Sequence, residues 1–250
     1  MHRFYLPPEQ CKNDTLVLTD HEAHHALKVL RMKTGDAAVV LDGEGNTLNC
    51  EVLESSKRTV YLTVRSRNFA SPLPCQITLL QALPKPRAMD YIVQKATELG
   101  VARIVPILTE RVVSQLDEKS ATSKVAKLIP VALEAIKQCG SPWLPKIESP
   151  LSLERFLALN KNFDLTLVAS LHPHRHHIQE VIAQFRASTT RQPTNVAVWI
   201  GPEGDFTSKE LEQIIASGAA PITLGPLVLR SDTAAIYCLS VLNHELQRAC

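Results

Sequence analysis

The sequence has no paired-cysteine spacing, no apolar run long enough to cross a bilayer and almost no net charge. Its six cysteines (Cys11, Cys50, Cys75, Cys139, Cys238 and Cys250) are scattered without a C-x-x-C pair along 250 residues. In a chain of this length that points to free thiols and excludes a disulfide frame or a zinc ribbon. The longest apolar runs stop well short of the ~18 residues of a spanning helix. The opening MHRFYLPPEQ lacks the apolar core of a secretory signal, so a cytoplasmic protein without a membrane partner is expected. A net charge of +2 excludes a strongly basic coat protein, while leaving room for a local basic face that binds nucleic acid. No repeat of 20–50 residues is visible, which excludes a solenoid. What remains is an ordinary globular composition, 45% apolar and 21% charged.

The chain changes character near Phe69-Ala-Ser-Pro-Leu-Pro74, and the expected domains are 1–72 and 73–250. Before that point strand-like runs dominate: Thr15 to Leu18, two strands around the turn Asp42-Gly-Glu-Gly45, and Thr59 to Arg67 with Val60, Leu62 and Val64 facing one way. One helix interrupts them, starting at Asp20 as N-cap and running to about Met32. Short strands in about 70 residues predict a small barrel. After Pro74, strand and helix take turns. CQITLLQAL reads as a buried strand. A helix from Pro86 to Gly100 carries Met89, Ile92, Val93, Ala96 and Leu99 on one face. Then come strand ARIVPIL, helix Ser123 to Gln138, strand DLTLVAS, helix Arg175 to Arg186, strand NVAVWI, helix Ser208 to Ser217, strand PITL and a last helix from Ser231. Such alternation predicts an α/β fold with a mainly parallel sheet. The last helix, TAAIYCLSVL, is apolar nearly all round and must be buried in the core or against another subunit.

Two segments carry the chemistry. In Val196 to Thr207, VAVWIGPEGDFT, a buried strand ends in Gly201, and Gly204 follows before a helix. In Ile222 to Ala235, ITLGPLVLRSDTAA, a strand runs into Gly225, and Arg230 precedes the helix-capping Ser231 and Asp232. Ligands in open parallel sheets sit beyond the carboxyl ends of strands, where glycine lets backbone approach them closely. Neither loop is G-x-G-x-x-G or a Walker A loop, so dinucleotide and triphosphate readings are poor. The run His172-Pro-His-Arg-His-His177 invites a metal reading, but no cysteine or carboxylate spacing supports one. The pair His24-His25 reads as RNA-facing or structural.

On MHRFYL, HHALKVLRMKTGD, QALPKPRAMDYIVQKATELGV, IGPEGDF and LGPLVLRSDTA, in this order and across the whole chain, the sequence resembles the RsmE family of the SPOUT superfamily. These are bacterial 16S ribosomal RNA uridine N3-methyltransferases. The resemblance implies a small PUA-like β-barrel domain, then a SPOUT methyltransferase domain with a C-terminal trefoil knot. It also implies S-adenosyl-L-methionine as cofactor, 16S rRNA of the small ribosomal subunit as partner, and a homodimer formed through the C-terminal domain. Four places depart from the family's usual pattern, one of them Ser231-Asp232 where Thr-Glu is usual. Asp205 replaces the second glycine of G-P-E-G-G-F, Leu227 stands where an arginine is usual, and the mid-domain E-Q-S-G-R appears as Lys137-Gln-Cys-Gly-Ser141. A catalytically inactive RNA-binding or ribosome-assembly factor of the same fold is the competing reading.

Carried onto this chain, the resemblance assigns the cofactor to Gly201, Pro202, Glu203, Gly204, Leu224, Gly225 and Leu229, with Leu171 and His172 as a third wall. Uracil N3 must lose a proton before it can attack a methyl group. Glu203 and Asp232 are the candidate bases, and Arg230 is placed to stabilise the developing uracil anion. Arg3, Lys28, Arg31 and Lys33 in the first domain, with Lys85, Arg87 and Lys95 in the second, are the candidate RNA contacts.

Overall fold

The computed structural model describes residues 2–84, 86–110, 123, 125–159 and 161–247. The chain divides into two compact units, one of Met1–Pro72 with Leu133–Leu144, the other of Leu73–Ala132 with Pro145–Cys250.

The first unit is built on β1 (His2–Tyr5), β2 (Thr15–Leu18), β3 (Ala37–Leu41), β4 (Asn46–Ser55) and β5 (Val60–Phe69), hydrogen-bonded in the order β1-β3-β4-β5-β2. Only β1 and β3 run parallel. Alternation along the strands sends Phe4, Leu16, Leu18, Leu48, Val60 and Leu62 into one core. The turn at Asp42 is held by its own buried carboxylate, which accepts from Glu44 N at 2.8 Å and Asn46 N at 2.9 Å. The helix expected from Asp20 to Met32 is shorter and changes pitch. α1 (Asp20–His24) has Thr19 as N-cap and passes into a π-helical turn over His25–Val29. This wider turn keeps Ala23 and Ala26 in the core.

Leu133–Leu144 belongs to this first unit, although sequence alternation placed it in the second domain. Its anchors are long-range. Arg3 donates to the carbonyls of Lys137 at 3.2 Å and Gln138 at 3.0 Å. The Lys137 ammonium bonds Glu22 and Glu134, each at 2.7 Å. Trp143 Nε1 donates to Ala70 O at 2.9 Å. Burial pulls the Lys137 pKa down, but the two carboxylates outweigh it and the group stays charged.

The second unit runs β6 (Gln76–Ala82), α2 (Pro86–Glu98), β7 (Arg103–Leu108), α3 (Leu128–Cys139, passing into the first unit at Leu133), β8 (Lys146–Ile147), β9 (Leu151–Ser152) and α4 (Leu153–Ala158). It continues with β10 (Leu165–Ala169), β11 (His176–His177), α5 (Ile178–Thr189), β12 (Asn195–Ile200), α6 (Ser208–Ala216), β13 (Ala220–Thr223) and α7 (Ser231–Leu246). The sheet order is β11-β13-β10-β12-β6-β7-β8, with β9 also on β7, and every described pairing is parallel. β12 lies between β10 and β6, which is why Val196 to Ile200 is continuously apolar and buried. Trp199 packs edge-on against Phe156 at 5.2 Å and Phe206 at 6.4 Å between ring centroids.

The helix expected over Arg175 to Arg186 begins only at Ile178. His176 and His177 instead form a two-residue edge strand paired with Ile222 and Thr223. Of the helix expected from Ser123 to Gln138, Leu128–Cys139 is an α-helix, and part of the stretch before it lies outside the described residues. α7 is less evenly apolar in space than in sequence. Ala235, Cys238, Leu239, Leu242 and Leu246 are buried, while Tyr237 and Ser240 face solvent. The five described cysteines are unpaired, and burial pushes the Cys75 and Cys238 thiols up to about 12 and those of Cys11 and Cys50 to about 11. These four are protonated and unreactive at neutral pH.

Asp164 ties the start of β10 to the start of β12. It accepts from Arg191 at 2.7 and 3.0 Å, from Thr194 N at 2.7 Å and from Thr194 Oγ1 at 2.9 Å. The guanidinium first, and then the Thr194 donors, hold its carboxyl well below the usual carboxylate range. A depressed pKa stabilises the fold above the unfolded-state value of about 3.9 and loses that contribution as pH falls toward the folded-state value. Asp164→Asn should therefore lower the melting temperature at pH 7, and the deficit should shrink only below about pH 4. Thermal melts of both proteins between pH 2 and 7 measure this, and a constant deficit across the range would contradict it.

Candidate functional site

Parallel pairing places the carboxyl ends of β10, β12 and β13 together, and the segments that leave them line one pocket. Its walls include Leu171, Gly201, Pro202, Glu203, Leu224, Gly225 and Leu229, seven of the nine residues that the sequence assigns to a cofactor. The other two, His172 and Gly204, are not in the wall. Ser170, Asp205, Thr223, Leu227, Val228 and Ser231 also line it, and sequence reasoning missed them as site residues.

The loop after β12 is rigid for local reasons. Asp205 N donates back to Pro202 O at 2.9 Å, closing a turn. Asp205 itself has φ +61°, the left-handed region that glycine adopts freely and aspartate tolerates better than most residues. Its Oδ1 accepts from Phe206 N at 2.8 Å, and Phe206 is buried beside Trp199. A Cβ on Gly201 would lie 2.9 Å from that same oxygen, so a side chain at position 201 would displace the Asp205 carboxylate from its place. α6 then starts with a capping box. Thr207 Oγ1 accepts from Glu210 N at 3.3 Å, and Glu210 Oε2 accepts from Thr207 N at 2.8 Å. Glu210 is only 5% exposed, and its other oxygen takes Glu110 N at 2.8 Å.

The loop after β13 is more open. Gly225 has φ +114°, and a Cβ there would meet nothing within 4 Å. Thr223 Oγ1 both accepts from Gly225 N and donates to Gly225 O, each at 3.2 Å. The loop ends at Arg230, the N-cap position of α7. The third wall follows β10, where Ser170 N donates to Ile222 O at 3.2 Å and Arg175 donates to the carbonyls of Leu171 at 2.9 Å and His172 at 3.1 Å.

One buried link joins the first two loops. Gln81, at 0% exposure, donates from Nε2 to Ser231 Oγ at 3.0 Å, and Ser231 Oγ donates to Gly201 O at 2.6 Å. Gln81 Oε1 is buried and has no partner among the described residues. Leaving such an acceptor unpaired costs about 1–3 kcal/mol.

The RNA methyltransferase domain family matches residues 71–243. The RNA methyltransferase PUA domain family matches residues 18–65. The chain is 30% identical to ribosomal RNA small subunit methyltransferase E of Bacillus subtilis, over 93% of this chain and 91% of that one. This chain belongs to the ribosomal RNA small subunit methyltransferase E family. The Synechocystis member is 32% identical over 98% of this chain and 78% of its own. A putative methyltransferase from Legionella pneumophila, solved with bound cofactor SAM, superimposes with a TM-score of 0.86 at 30% identity, covering 97% of each chain.

Within this family member the proposed chemical groups are unevenly placed. Glu203 lines the pocket. Arg230 and Asp232 flank the pocket residue Ser231 without lining the pocket themselves. Arg230 is exposed, and Asp232 Oδ1 caps Thr233 N at 2.7 Å. Leu227 is 74% exposed at the pocket wall. Of the expected RNA contacts, Lys28, Arg31, Lys33 and Arg87 are exposed. Arg3 spends its guanidinium on backbone carbonyls, Lys95 pairs with Glu98 at 2.8 Å, and Lys85 lies outside the described residues. In the first unit Lys28 lines a groove of about 580 Å³ with His24, Lys57 and Arg58, the last two unnoticed in sequence because they lie 29 and 30 residues further on.

The Asp205 departure has a backbone test. Asp205→Ala should be less stable than Asp205→Gly by about 1–2 kcal/mol, because alanine keeps a Cβ in left-handed backbone while both lose the bond to Phe206 N. In a chain of this length each 1 kcal/mol lowers the melting temperature by roughly 2–4 °C. Equal melting temperatures for the two variants would contradict the strain argument.

Proposed function

We propose that this protein transfers a methyl group from S-adenosylmethionine to N3 of a uridine in 16S rRNA of the small ribosomal subunit. The observation that supports this best is the convergence of the two glycine loops and the segment after β10 on one pocket at the carboxyl edge of a parallel sheet. The residues present suit the cofactor. Leu171, Ile200, Leu224 and Leu229 offer apolar walls for an adenosyl group, and Ser170 with the loop backbone offers hydrogen bonds. Gly225 leaves a backbone cradle that any Cβ would fill. Glu203 and Asp205 supply negative charge suited to a sulfonium-bearing ligand.

Bound S-adenosylmethionine supplies an electrophilic methyl group on a good leaving group. The work left to the chain is positioning, which can contribute roughly 7–11 kcal/mol, and removal of the uracil N3 proton, without which that nitrogen has no free lone pair. Glu203, in the pocket wall, takes the role of base, with Asp232 as the alternative on the first turn of α7. Arg230 stabilises the negative charge that builds on the uracil oxygens. Lys28, with Lys57 and Arg58 along the same groove, and the exposed Arg31 and Lys33 hold phosphates and set register without reading sequence. The target base is splayed out of folded RNA to reach the pocket.

The implied trefoil knot and homodimer belong to the same reading. Leu171, Leu227 and Val228 are 56%, 74% and 78% exposed beside the pocket, an apolar rim that a second subunit would cover. Among the described residues no helix is long and apolar enough to cross a membrane, and a ribosomal RNA substrate supports a cytoplasmic location.

Titration calorimetry should show S-adenosylmethionine binding, and Gly225→Val should weaken it at least tenfold, about 1.4 kcal/mol. A folded wild-type protein that binds none would favour the inactive RNA-binding reading. Mass spectrometry of small-subunit rRNA methylated in vitro should place the label on uridine N3, and a label on another atom or base would refute that address. Arg230→Ala should cut the single-turnover rate at saturating RNA about a hundredfold. Arg31→Ala should weaken RNA binding and flatten its salt dependence while leaving S-adenosylmethionine affinity unchanged. Identical defects in the two variants would contradict this division of roles.

A further inference from the structure

We propose that Gln81 is a positioning residue whose proton chain through Ser231 to Gly201 sets the spacing of the two pocket loops, so that methyl-donor affinity depends on it. The inference rests on the reading that this pocket takes S-adenosylmethionine.

The chain of bonds has only one possible direction. Gln81 Nε2 lies 2.9 Å from Ala82 O and 3.0 Å from Ser231 Oγ. A carbonyl has no proton to give, so Ala82 O fixes which end of the Gln81 amide is the nitrogen. Ser231 Oγ therefore accepts from Gln81. Its own single proton goes to Gly201 O at 2.6 Å. Each partner is thus committed, and the Gly201 carbonyl is turned toward α7.

Topology explains why this matters. Gln81 stands opposite Ile200 in the β6–β12 register, one residue before the first loop begins. Ser231 is the first residue of α7, where the second loop ends. Gly201 and Ser231 both line the pocket, whereas Gln81 does not, and it acts only through them. The next residue, Pro202, has no N–H, so the pinned carbonyl is the only hydrogen-bonding group of that peptide unit. Gln81 is wholly buried with Oε1 unpaired among the described residues. A leucine would fill similar space without that penalty, so the two donated bonds are the use to which this amide is put.

The test compares wild type with Gln81→Leu, Ser231→Ala, their double variant and Gln81→Glu, measuring S-adenosylmethionine affinity by calorimetry, rRNA affinity and melting temperature. Each single substitution should weaken the cofactor at least tenfold with rRNA affinity unchanged. The double variant should be no weaker than the worse single one, because both break one chain. Glutamate at 81 has no proton for Ser231 when ionised and one when protonated, and burial raises its pKa. In Gln81→Glu, cofactor affinity should therefore rise relative to wild type as pH falls from 8 to 6. A merely structural glutamine would give no such pH response. Affinities within twofold of wild type in folded Gln81→Leu and Ser231→Ala overturn the proposal, as do additive losses with a flat pH profile. Should Gln81→Leu fail to fold, Ser231→Ala and Gln81→Glu decide by the same criteria. Wild-type protein that binds no S-adenosylmethionine overturns the underlying reading and this inference together.

Discussion

Parallel pairing of β6, β12, β10 and β13 is the constraint on which the site depends. In such a sheet every strand points the same way, so each strand's exit loop emerges at one edge. Three loops separated by tens of residues then share a pocket without any interaction having to pull them there. Continuous burial of Val196 to Ile200 between β10 and β6 fixes β12 in the sheet interior. The first loop therefore starts from a strand that cannot shift register without exposing apolar side chains. The long-range bonds of Asp164 secure the same pair of strands at the opposite end.

Backbone chemistry refines what the sheet places. The loop after β12 is braced from within, by the left-handed Asp205 and by the Thr207–Glu210 capping box. The loop after β13 has little bracing beyond Thr223 and ends on the link from Ser231 to Gly201. One wall is thus preformed, while the other is held mainly at its far end. An open cradle at Gly225 beside a fixed wall suits a ligand that approaches the backbone closely.

The two units divide polar work differently. In the first, several cations are consumed by structure. Arg3 and Lys137 hold Leu133–Leu144 in place, and Arg67 donates to the backbone of Cys11 and Asn13. Lys28, Lys57 and Arg58 remain at an exposed groove. A basic residue's presence in sequence is therefore a poor guide to its role, because the backbone carbonyls and carboxylates that compete for it are distant along the chain.

Periodicity and glycine placement were enough to determine the alternating strands and helices, the parallel sheet and the two loops that carry the pocket. These signals are local: burial on both faces makes Val196 to Ile200 apolar, and the positive φ at Gly225 disfavours any side chain there. The motifs also sufficed to bring out the family resemblance. Only the tertiary structure assigned Leu133–Leu144 to the first unit, made His176 and His177 an edge strand, gave Arg3 the carbonyls of Lys137 and Gln138 as partners, and singled out Gln81. Each of those outcomes rests on a partner that sequence proximity does not reveal, Ser231 lying 150 residues from Gln81 and Lys137 134 from Arg3. Local pattern records which face of an element is buried. It does not record which distant donor or acceptor a polar side chain will meet, because that depends on how the elements are packed.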